Sequence, residues 1–166
     1  MKFAIVVSLL FFGFVASAEL PDINTVRTLY QKAPTDEKAC RQLIEILKPY
    51  NENSNPLLYG YRASATMMMA NHVFNPFSKL SYFNKGKNMM EKAIAAASKN
   101  VELRFLRFAA QTKIPSFLGY KEAIKEDKKF LLSALTQVND TGLKKIMVAF
   151  LKESDYVTEK EKNNIR

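Results

Sequence analysis

Beyond residue 20, apolar residues recur every three to four positions, and no stretch alternates apolar and polar residues over several strands. That spacing lays an apolar stripe along one face of a helix, so the pattern predicts an all-α chain. Helices are expected at about 22–32, 36–49, 56–73, 76–98, 101–111, 119–137 and 141–153, with a frayed segment at about 156–165. In the segment 36–49, Ala39, Cys40, Leu43, Ile44 and Leu47 share a face. Segment 101–111 carries Val101, Phe105, Phe108 and Ala109 on one side and Leu103, Leu106 and Ala110 beside them. Apolar around most of its girth, it is expected to lie between neighbours.

The breaks between segments read as helix starts. Asn55-Pro56 and Asn75-Pro76 each set an N-cap residue before a proline, which at the first helical position has no N–H to lose. Thr35-Asp36-Glu37 puts acids into a first turn, where the helix dipole favours them. Asn100 and Asp140 open two further segments. The loops are short, so successive helices should return antiparallel.

Residues 1–18 read as a cleavable signal peptide rather than part of the fold. Met1-Lys2 gives a positive start, Phe3–Val15 an apolar run too short to span a bilayer, and Ala16-Ser17-Ala18 the small residues of a cleavage site. The protein is therefore expected to be exported: periplasmic or extracellular, or luminal or secreted in a eukaryote. Cleavage would leave 19–166, about 150 residues, as one domain with a real core and no stable membrane anchor. The single cysteine, Cys40, excludes an intramolecular disulfide and, among Ala39, Leu43 and Ile44, reads as a buried structural thiol.

The sequence also repeats itself. A shift of 41 pairs Ala93 with Ala134, Ile94 with Leu135, Phe105 with Ile146 and Leu106 with Met147. A shift of 45 pairs Asn55 with Asn100, Leu58 with Leu103, Arg62 with Arg107 and Ala65 with Ala110. A helix pair recurring every forty-odd residues is the pattern of an α-solenoid. In Lys92–Glu102 the chain resembles the end of one repeat and the start of the next in the tetratricopeptide-like superfamily, with Leu58, Gly60 and Tyr61 echoing its first-helix spacing. The match is degenerate: the repeat is longer than the superfamily's 34 residues, and Lys99-Asn100 stands where its turn proline would be. The resemblance implies a short right-handed TPR-like stack of antiparallel helical hairpins that binds another protein and is not an enzyme.

Net charge is +9 at pH 7. In an exported protein that suits an acidic partner; no nucleic-acid motif is present. Within the TPR-like reading, Arg62, Arg104, Arg107 and Lys145 would line a groove gripping the carboxylates of an acidic peptide or protein, arginine doing so bidentately. The competing reading is a solvated face, or internal salt bridges to Glu91, Glu102 or Glu122.

Two other clusters carry candidate chemistry. Met67-Met68-Met69-Ala70-Asn71-His72 holds three of seven methionines and the one histidine. Met68 and Met69 lie one turn from His72, and thioether with imidazole is a donor set for copper(I), which gives a copper-handling alternative using Met68, Met69 and His72. Against it stands ordinary packing, since methionine fills irregular core gaps. In the corner 73–83, Phe74, Phe77, Lys79 and Tyr82 with His72 could form an aromatic pocket mouth, or only a tight turn between core helices. Residues 113–120 repeat that aromatic, proline-bearing pattern with Pro115, Phe117 and Tyr120, and on one edge the two segments would make a continuous ridge. No catalytic residue or cofactor is assigned. Phosphate-loop and triad motifs are absent, and Glu122, Glu126, Asp127, Glu153, Asp155, Glu159 and Glu161 lie in Lys-rich runs expected to be solvated, the tail from about 155 fraying.

Overall fold

A computed structural model describes residues 20–165; the leader assigned to 1–18 lies outside them. The described residues are all-helical, without strands: α1 (Ile23–Lys32), α2 (Glu37–Ile46), α3 (Pro56–Met68), α4 (Pro76–Ala96), α5 (Val101–Lys113), α6 (Ile124–Ala134), α7 (Thr141–Glu153) and α8 (Glu159–Asn163). Seven of these helices begin where a side chain can accept from the otherwise unbonded first-turn N–H groups. Asp22, Asp36, Asn55, Asn75, Asn100, Asp140 and Thr158 are those caps. Asn55 and Asn100, paired by the sequence repeat, do the same work, accepting from Leu58 at 3.1 Å and from Leu103 at 2.9 Å.

α3 packs along α4, and α1 on α2, α2 on α3, and α5 on α6 in the same consecutive manner. Alternate helices also touch: α1 with α3, α3 with α5, and α5 with α7. The middle of α5 is enclosed all round, every residue from Glu102 to Ala109 being buried, as its all-round apolar pattern predicts. Cys40 is a free, buried thiol that donates to the Ala65 carbonyl at 3.2 Å, and burial pushes it up to about 11.

The close approach of α3 and α4 depends on Gly86. A Cβ there would stand 2.7 Å from the Ala63 carbonyl oxygen and 2.7 Å from the Met67 nitrogen, both backbone atoms that cannot turn aside. At Gly60 the nearest obstacle is the Leu103 Cδ1, at 2.1 Å, the far end of a side chain that can turn. Alanine would gain up to about 1 kcal/mol of helix propensity at either site. Overpacking costs about 1–3 kcal/mol where nothing can yield. Gly86→Ala should therefore lower stability in urea unfolding, and by more than Gly60→Ala; the reverse order would mean that the helices are not held at this separation.

Three expectations need correction. The helix expected at 56–73 ends at Met68, tightening into a 3-10 turn over Met69–Asn71. The helix expected at 119–137 starts only at Ile124, because Gly119 takes a left-handed φ of 59° and Ala123 offers no capping side chain. The tail is not frayed: Thr158 and Glu161 form a reciprocal capping box, Lys128 bridges to Glu161, and Val157 and Ile165 are buried in the core.

Candidate functional site

The arginines expected to line a groove face inward or are already engaged. On α5, Arg107 grips Asp127 of α6 with two parallel bonds, Nε to Oδ2 at 2.7 Å and Nη2 to Oδ1 at 2.9 Å. Its remaining Nη1 donates to Glu91 of α4 at 3.0 Å, and the Tyr120 hydroxyl donates to the other Glu91 oxygen at 2.5 Å. Burial works against the Arg107 charge, but Asp127 and Glu91 outweigh it and hold the guanidinium above its ordinary range. Arg104 donates to Glu126 at 2.6 Å and lies over the Phe130 ring at 4.9 Å. Its Nε stands 2.9 Å from Asp127 Oδ1 but off the line of a hydrogen bond, so that contact is ionic. Asp127 is 0 % exposed, which corrects its expected place on a solvated face.

A second cluster, unforeseen apart from Glu102, ties the first helix to the fifth and seventh. Arg27 of α1 grips Glu102 at the start of α5 through Nε at 2.7 Å and Nη2 at 2.9 Å, and reaches the α7 cap Asp140 with Nη1 at 2.8 Å. The Tyr61 hydroxyl of α3 donates to Glu102 as well. Arg27 and Glu102 are each 6 % exposed. Burial, and then Glu102, push the Tyr61 hydroxyl far above its usual value. The Leu143 amide, and then Arg27, hold the Asp140 carboxyl below the usual range. In both clusters carboxylates outnumber guanidiniums, so these arginines offer no surplus positive charge.

Arg62 does not join them. It closes the end of α2, donating to the carbonyls of Lys48 at 2.7 Å and Tyr50 at 3.1 Å. Lys145 is exposed on α7. The four residues are thus not brought together as one open groove, because three of them are spent on carboxylates or carbonyls of this chain. Glu91 was foreseen as an internal partner; Asp127, Glu126 and Arg27 were not, since they come from helices whose angular placement no local pattern gives.

His72 is half-buried, and its Nε2 lies 2.8 Å from the Ala33 carbonyl at the end of α1. Read as the donor, that nitrogen closes the C-terminus of a neighbouring helix. Met69 is buried and Met68 half-buried against the core. Among the described residues, no group of three or more His, Cys, Asp and Glu side chains is placed to hold a metal ion.

The aromatic corner forms no pocket mouth; it projects. Phe74 is 99 % exposed and Phe77 84 %, with Leu80 and Lys79 also exposed beside them. Asn75 accepts from the Phe77 and Ser78 amides, which occupies donors an anion would need. Phe117, 86 % exposed, stands on the turn after α5. The two segments meet through Phe83 and Tyr120, whose rings are edge-on at 6.2 Å. His72 carries the contact on to the α1–α2 turn, and Lys121 to Tyr156 beyond α7. Two hollows among the described residues lie elsewhere: an open depression of about 580 Å³ over the outer face of α2, at Lys38 and Gln42, and one of about 250 Å³ between α6 and α8, at Leu132 and Asn164. Comparison of the chain with family models, curated proteins and solved structures found no match.

Proposed function

We propose that this chain is an exported, non-enzymatic interaction module, a short TPR-like stack of hairpins that meets its partner along the aromatic edge at its helix turns. The observation that carries the reading is the near-complete exposure of Phe74, Phe77 and Phe117 on connected turns. Large apolar groups left in water on segments that meet, as these do through Phe83 and Tyr120, are the mark of an interaction surface. The stacked-hairpin reading draws support from the like capping of α3 and α5 and from the alternate contacts of α1, α3, α5 and α7. The internal pairing of Arg104 and Arg107 favours the aromatic edge over the basic face expected to hold an acidic peptide.

The test is a photoreactive amino acid placed in turn at Phe77, Phe117, Lys145 and Gln42 in the producing cell. Adducts should form from Phe77 and Phe117 and not from Lys145 or Gln42. Adducts from Lys145 alone would restore the basic face as the binding surface.

A further inference from the structure

The aromatic edge has the chemistry of a surface that enters lipid. Its phenylalanines stand out from turns of the described residues, and neither the depression at Lys38 and Gln42 nor that at Leu132 and Asn164 lies among them. A protein partner would need a pocket for each ring, whereas a bilayer interface accepts projecting rings without a matching shape. They are also firmly presented. Phe77 stands in the first turn of α4, where its amide is fixed by Asn75 at 2.8 Å, and Phe117 lies in a 3-10 turn closed by the left-handed Gly119.

The charge around them points to one kind of lipid. The sequence has no Asp or Glu from 53 to 90, and none from 103 to 121, the two stretches that meet at this edge. Within them Lys79, Lys85 and Lys113 are exposed. The exposed carboxylates of Asp36 and Glu122, and the half-exposed Glu91 held by Arg107 and Tyr120, bound the patch. Projecting apolar rings on lysine-bearing segments that carry no acid of their own are complementary to anionic headgroups over hydrocarbon. No helix of the described residues is long and apolar enough to cross a membrane, so this contact would be superficial.

We infer that the edge formed by Phe74, Phe77, Leu80 and Phe117, with Lys79, Lys85 and Lys113, binds the surface of an anionic phospholipid bilayer. The inference rests on the aromatic edge being the interaction surface and names its partner. Co-flotation of the purified chain lacking residues 1–18 with phosphatidylcholine vesicles, with and without roughly one-third phosphatidylglycerol, tests it. The chain should float with the anionic vesicles and not with the neutral ones, and raised salt should weaken the binding. Phe77→Ser with Phe117→Ser should reduce binding at least about tenfold. Both side chains are exposed, so the variant's circular dichroism and urea midpoint should match the parent's.

Binding to anionic vesicles that the double variant retains would overturn the inference, as would no binding at all. Absent vesicle binding with protein adducts from Phe77 in the cell would leave the aromatic edge standing and identify its occupant as a protein. If the parent sediments as a dimer that Phe77→Ser dissociates, and vesicles do not bind, the occupant is a second copy of the chain. Absent vesicle binding and absent edge adducts together would remove both the lipid and the edge.

Discussion

Asp127→Ala should lower stability by about 3–5 kcal/mol in urea unfolding, the largest loss expected of a single change in this chain. Asp127 is 0 % exposed and faces two guanidiniums, held by paired bonds from Arg107 and an ionic contact from Arg104. Removing it leaves two buried cations side by side with only the half-exposed Glu91 and the exposed Glu126 to answer them. The cost is that of stranding charge, not the net worth of the pair, and the two can be separated. Asp127→Leu combined with Arg107→Met should recover part of the loss, since that double change removes the bidentate pair together and leaves Arg104 as the one buried cation, with Glu126 to answer it. A loss below about 1 kcal/mol for the single variant would mean that water reaches Asp127 in the folded protein.

Glu102→Ala is the second large effect, expected at about 2–4 kcal/mol. It takes the bidentate partner from Arg27 and the acceptor from the Tyr61 hydroxyl. Arg27 keeps Asp140, which makes this loss smaller than the first. The change should be visible in place as well as size. Amide exchange should accelerate most in α1 and at the start of α7; an α1 left as protected as in the parent would show that Glu102 does not join α1 to the rest. Asp140, held first by the Leu143 amide and then by Arg27, gives the stability a pH dependence of known sign. The folded Asp140 carboxyl lies below its unfolded value, so its contribution is complete above the ordinary aspartate range and is lost as pH falls through the folded value.

Much of the framework was legible because capping chemistry is local. Asn55-Pro56, Asn75-Pro76, Asn100 and Asp140 name their helix starts in sequence, and each side chain accepts from its own first turn. α6 was placed five residues early for the converse reason: Ala123 has no capping group, and the left-handed Gly119 gives no unique sign in sequence. Asp127 and Glu161 sit in Lys-rich runs that look solvated, yet one is enclosed between arginines and the other closes a capping box. Charge density along a chain does not say which face turns inward. The aromatic corners were legible as neighbours, through the likeness of 73–83 to 113–120, but whether their rings close a pocket or stand clear depends on how the helices around them pack.

Arg27 has a consequence for how the molecule comes apart. In a row of hairpins that touch only their sequence neighbours, each end can peel away while the middle persists, and melting is spread over several steps. Here one guanidinium joins positions 113 residues apart, and the same side chain holds Glu102 between them. The first helix cannot leave without exposing buried charge on the fifth and loosening the cap of the seventh. The loop that this bond closes is long, and the bond gives the first and seventh helices a common fate. Loss of order at one terminus is then felt at the other, and the chain has reason to hold or fail as a single cooperative unit.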